Sequence, residues 1–179
     1  MALLIATGVV AATTPSAADW EQPFVVHASI GEPITGRNIA VTVHAATVVD
    51  RVFDDRWSST PGSTWVVVDA SAAVVHTETA ATIRHAVLVV GERSYAASMR
   101  PSAVMLNSVA LSIDVPTRGW LAFELPADAL SARGAERARL ELAMNADPRL
   151  DSMIVATVDL TSVPALAEVE LSDAVWGER

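Results

Sequence analysis

The chain has 179 residues, with 21 acidic side chains against 12 basic ones, a formal net charge of -9 and no cysteine. The missing cysteines exclude disulfides, thiolate metal sites and thiol nucleophiles, and because every basic residue is an arginine, Schiff-base and phosphate-loop lysines are excluded too. Apolar residues make up 51% and charged ones 18%, which requires a packed core, while the acidic balance repels a phosphate backbone and removes nucleic acid from the expected partners.

Residues 2–12 are apolar and uncharged, and Ser16 and Ala18 stand at the two small-residue positions that a signal peptidase inspects. Residues 1–18 are therefore expected to be an export signal or a membrane anchor, and a basic stretch upstream of Met1 would complete the pattern. The competing reading is a buried first strand or an apolar tail in a cytoplasmic protein. Residues 19–160 are expected to form one domain, as the length allows without a metal or disulfide staple.

From residue 24 the apolar period is two, the mark of half-buried strands. Strands are expected over 24–30, 39–51, 64–76 and 82–90, with 94–97 pairing back across Gly91 as a hairpin. In the second of these Ile39, Val41, Val43 and Ala45 share a face; in the third Val66, Val68, Ala70 and Ala72 oppose Val67, Asp69 and Ser71. Further strands are expected over 109–115, 120–126, 139–144 and 154–160, with Leu121, Phe123 and Leu125 turned inward. Residues 127–139, interrupted by Gly134, predict a helical turn, and 161–179 a tail or an edge strand around 169–171. Short strands separated by Gly, Pro and Asp describe an antiparallel sandwich.

Several features stand in a fixed order: Gly31 before 39–49, then Trp65-Val66-Val67-Val68-Asp69, Gly91 through Tyr95, Gly119-Trp120-Leu121-Ala122-Phe123-Glu124-Leu125-Pro126, and Val158-Asp159-Leu160. This order, covering residues 31–160, resembles the telokin-like, immunoglobulin-fold domain of unknown function found in exported bacterial lipoproteins and membrane-anchored proteins. The resemblance implies an all-β, antiparallel immunoglobulin-like β-sandwich, extracytoplasmic and either membrane-anchored or secreted. It implies a non-catalytic binding or structural module at the cell envelope, with a protein or envelope component as partner and no cofactor. No lipobox cysteine stands in these residues, so a lipid thioether is not the expected anchor.

Some chemistry-bearing residues offer readings beside this one. His27, His44, His76 and His85 could hold zinc with a carboxylate, or simply face solvent from strands; a small metal-binding protein or enzyme using them with the loop aspartates is the alternative function. Asp50, Asp54 and Asp55 cluster at one loop, and Asp147 and Asp151 flank another, without the run of an EF-hand. Glu124 and Glu141, expected on neighbouring strands, would suit glycoside hydrolysis if they converged. No Gly-x-Ser-x-Gly elbow occurs. Trp65 and Trp120 are expected in the packing, whereas Trp57 in a polar loop and Trp176 in the tail could be exposed anchors. Trp57, Trp176, Asp54, Asp55, Asp147 and Asp151 therefore mark the expected interaction surface.

Overall fold

A computed structural model describes residues 21–76 and 81–177; the expected export signal or anchor at 1–18 lies outside them. No helix among the described residues is long and apolar enough to cross a membrane. The elements run β1 Phe24–Ala28, β2 Pro33–Thr35, β3 Ile39–Phe53, β4 Thr64–Val74, β5 His85–Val90, β6 Arg93–Ala96, β7 Thr117–Leu125, β8 Ala138–Ala143, β9 Ser152–Val158, β10 Ala165–Glu170 and β11 Val175–Trp176. Two 3-10 turns, Ala129–Ser131 and Ala135–Arg137, occupy the expected helical connection.

The strands form two sheets, in the orders β1-β9-β8-β5-β6 and β10-β3-β4-β7-β11, with β2 also pairing β3. Their inner faces meet in one core that takes Val66, Val68, Leu121, Phe123, Leu140, Leu142, Ile154 and Val158 from alternate positions. The β-sandwich read from the alternation is the fold. Each such side chain removed from water contributes about 1.5–3 kcal/mol.

Four features differ from expectation. Two edges are parallel: β1 lies along β9, and β10 along β3. Both join strands from opposite ends of the chain, and alternation within a strand carries no information about its neighbour. Second, β3 has a register shift between Val43 and Ala45. Ile39, Val41 and Val43 face the core before it, Ala46 and Val48 after it, and Ala45, expected inward, is exposed; one extra residue in a period-two strand exchanges its faces.

Third, residues 109–115 form isolated bridges instead of a strand, with Asp114 in the left-handed region at φ 55° breaking the run. Fourth, Glu124 lies on β7 and Glu141 on β8, which belong to different sheets. That separation removes the carboxylate pair.

A second apolar layer covers the outer face of the β3-β4-β7 sheet towards the end of β3. Val49, Val52, Trp65, Val67, Ala122, Met105 and Leu171 are buried together there, with Trp57 and Trp120 packed against them. Trp65 is fully buried, so β4 is apolar on both faces over Trp65-Val66-Val67-Val68.

Candidate functional site

The expected interaction residues fall at two poles, because β3 runs the length of the sandwich. Asn38 stands before its first residue and Asp54 after its last, roughly 50 Å of extended chain apart. Asp54, Asp55 and Trp57 are at one pole, Asp147 and Asp151 at the other, and the structure does not bring the two loops together.

At the first pole the Asp54 carboxylate accepts four backbone N–H groups. Oδ1 takes Arg56 and Trp57, each at 2.8 Å, and Oδ2 takes Ser102 at 2.6 Å and Ala103 at 3.1 Å. Burial pushes its pKa up, but the four hydrogen bonds favour the ionised form and outweigh it, so the carboxyl sits below its ordinary value. Trp57, read from the sequence as a possible exposed anchor, is half-buried edge-on against Trp65 with ring centroids 5.7 Å apart. The Arg100 guanidinium lies over both rings, 6.0 Å from Trp57 and 5.2 Å from Trp65, and pairs with Glu124.

Asp55 is exposed on the rim of a cleft of about 490 Å³ that Asp54, Arg56, Glu170 and Asp173 also line. Asp173 accepts the Val104 N–H at 2.7 Å.

At the second pole the Asn38 Nδ2 group donates to both Asp151 oxygens, each at 3.1 Å, and the carboxylate also accepts the Ser152 N–H at 2.7 Å and the Asn145 amide. Asp147 is exposed and binds Arg149, with Nη2 to Oδ2 at 2.6 Å, and this contact, reinforced by the Arg149 N–H, lowers its pKa. Trp176, 58% exposed, pairs beside Thr117 at the start of β7, in the same half of the molecule.

The histidines are dispersed. His27 is on β1, His76 follows β4, and His85 on β5 stands 3.5 Å from Glu141 without forming a hydrogen bond. No group of three His, Asp or Glu among the described residues is placed to hold a metal ion.

A groove not expected from the sequence lies on the outer face of the β3-β4-β7 sheet. Its floor is Ala40, Thr42, His44, Ser71 and Ala73, its walls include Ile34 and Pro116, and its volume is about 490 Å³, within the size range of small-ligand pockets. The β3 bulge aims His44 across to Ser71 Oγ, 2.7 Å from Nε2, and the adjoining Asp69 and Arg118 form a two-pronged pair at 3.0 and 2.7 Å. Bulges recur beside sites because they re-aim a side chain in this way.

A hydroxyl beside an imidazole has the chemistry of a nucleophile and its base. Ser71, however, sits mid-strand, paired to Thr42 on one side and Arg118 on the other, so its own amide is spent in the ladder and is not turned towards a developing oxyanion. The pair is suited to hydrogen-bonding a ligand. The only local hint of the groove is the run of small residues Ala70-Ser71-Ala72-Ala73.

No family model and no curated protein matches the sequence. Two solved structures share the fold. One is an uncharacterised β-sandwich protein from Clostridium difficile 630, with TM-score 0.50 and 10% identity over 81% of this chain and 99% of its own. The other is a candidate lipoprotein from Staphylococcus aureus subsp. aureus NCTC 8325, with TM-score 0.51 and 6% identity over 79% and 97%. At these identities the likeness is one of fold alone.

Proposed function

We propose that this β-sandwich is a non-catalytic binding or structural module that works outside the cytoplasm at a bacterial cell envelope, in the manner of the telokin-like domains its sequence resembles. The observation that carries the binding role is the groove beside β2: a cavity of ligand size, floored by small side chains, with the His44–Ser71 pair turned into it. The extracytoplasmic role is supported by the signal-like residues 1–18 and by the shared fold of the candidate lipoprotein. The partner is a protein or envelope component that presents an apolar group with a hydrogen-bonding function beside it.

The test is recovery of the protein from its native cells, with fractionation among membrane, medium and cytoplasm and an intact mass. A chain beginning at Asp19 in the medium is expected for a secreted module, and an uncleaved chain in the membrane fraction for an anchored one. An intact chain in the cytoplasm overturns the proposal.

A further inference from the structure

Large apolar side chains are exposed unevenly. At the pole where β3 begins, Phe24 is 62% exposed, Leu150 55%, Ile113 44% and Val115 42%, with Trp176 at 58% slightly further up. Elsewhere they are scattered: Ile30 part-way up, then Met99, Val104 and Leu166. Several contacts place the first group on one end. The Phe24 N–H donates to Asp151 O at 2.8 Å, Asp151 binds Asn38, and Ile113 bridges Val74, which pairs with Ile39.

Leu150 has φ 60°, a left-handed conformation that leucine seldom adopts. The loop that imposes it is tied down by Asp151 through Asn38, Asn145 and Ser152, and the result is a leucine held out into solvent. Clustered exposed apolar residues mark an interaction surface.

We propose that this pole rests against the lipid headgroup region of the membrane that the N-terminal segment enters. The inference rests on the anchored form of the function proposed above. The apolar residues 2–12 precede Phe24 by about a dozen residues, so the pole lies within at most about 40 Å of them along the chain. Phe24 is therefore the exposed large apolar group nearest that segment along the chain, and Leu150 stands beside it, next to the Asp151 carbonyl that accepts the Phe24 N–H. Tryptophan favours that interface because its ring is apolar and its N–H polar. Arg149 is paired with Asp147 and Glu21, and the exposed Arg37 and Asp114 are of opposite sign, so contact does not depend on anionic lipid.

Because the chain has no cysteine, single labels are clean. Full-length Leu150→Cys, Ile113→Cys and Asp55→Cys proteins, each carrying an environment-sensitive fluorophore and each checked for an unchanged melt, are reconstituted in phosphatidylcholine vesicles. Labels at positions 150 and 113 are expected to be quenched by headgroup-spin-labelled lipid and to react with aqueous dithionite at least about threefold more slowly than the label at 55. Equal exposure of all three labels on vesicle-bound protein overturns the orientation and leaves the anchoring reading intact. Protein that does not stay with the vesicles overturns both. Protection that rises with protein concentration and is insensitive to the lipid quencher assigns the pole to a second copy, and also overturns it.

Discussion

Asp54 and Ser102 are joined by a 2.6 Å hydrogen bond across 48 residues of chain, and that bond fastens the segment after β6 to the loop after β3. The Asp54 carboxylate thus holds together the lid of the second apolar layer, from which Trp57 packs on Trp65 and Ala103 on the same cluster.

Replacing Asp54 by alanine is expected to lower stability by about 1–3 kcal/mol, as donors lose a charged acceptor. The pH dependence has a definite sign. The folded-state pKa of Asp54 is depressed, so its contribution is fully present above the ordinary carboxylate value of about 4 and is lost as pH falls through the lower folded value. Urea titrations between pH 7 and 2.5 should show the wild type losing more stability below pH 4 than Asp54→Asn does. Parallel curves would refute this role.

Trp65→Ala is expected to cost about 3–5 kcal/mol, the range for a fully buried large aromatic, and Trp57→Ala clearly less because its ring is only half-buried. Denaturant midpoints of the two variants give the comparison directly. Equal losses would mean that Trp57 anchors the layer as strongly as Trp65.

Gly134 and Gly91 approach so closely that a Cβ on Gly134 would lie 2.8 Å from Gly91 N and Cα, and Gly134 has φ 99°. Gly134→Ala combines a backbone clash with a left-handed conformation and is expected to cost about 1–3 kcal/mol, or roughly 3–10 °C in melting temperature. A melting temperature within about 1 °C of wild type, below the roughly 2–4 °C by which each kcal/mol moves a chain of this size, would contradict the close approach.

Zinc or calcium is expected to leave the melting temperature unchanged, since His27, His44 and His85 are dispersed and Asp54 and Asp151 are filled by internal donors. A bound metal at a hundred times its dissociation constant would add about 2.7 kcal/mol. A rise removed by His44→Ala would restore the metal-binding alternative.

The strands were legible because a β-strand writes its pattern locally: Leu121, Phe123 and Leu125, or Ile154, Ala156 and Val158, alternate whatever lies around them. The bulge at Val43–Ala45 was not, since His44 and Ala45 look like any other alternating pair until β4 fixes the register. The candidate site was legible only in part. Aspartate in a polar loop suggested Asp54, Asp55, Asp147 and Asp151, but partners as distant as Ser102 and Asn38 decide that Asp54 and Asp151 brace their loops. The groove depends on β2, β3, β4 and the segment before β7 meeting, which no local pattern records.

The parallel union of β1 with β9 has a consequence for the order of events during synthesis. β1 finds its place only after β9 has emerged, and the edge of β3 likewise stays open until β10 has followed. Such long-range pairings are slow to form. On the proposed route out of the cell that delay is useful, because each sheet keeps an open edge until β9 and β10 have followed, which defers completion of the fold to the far side.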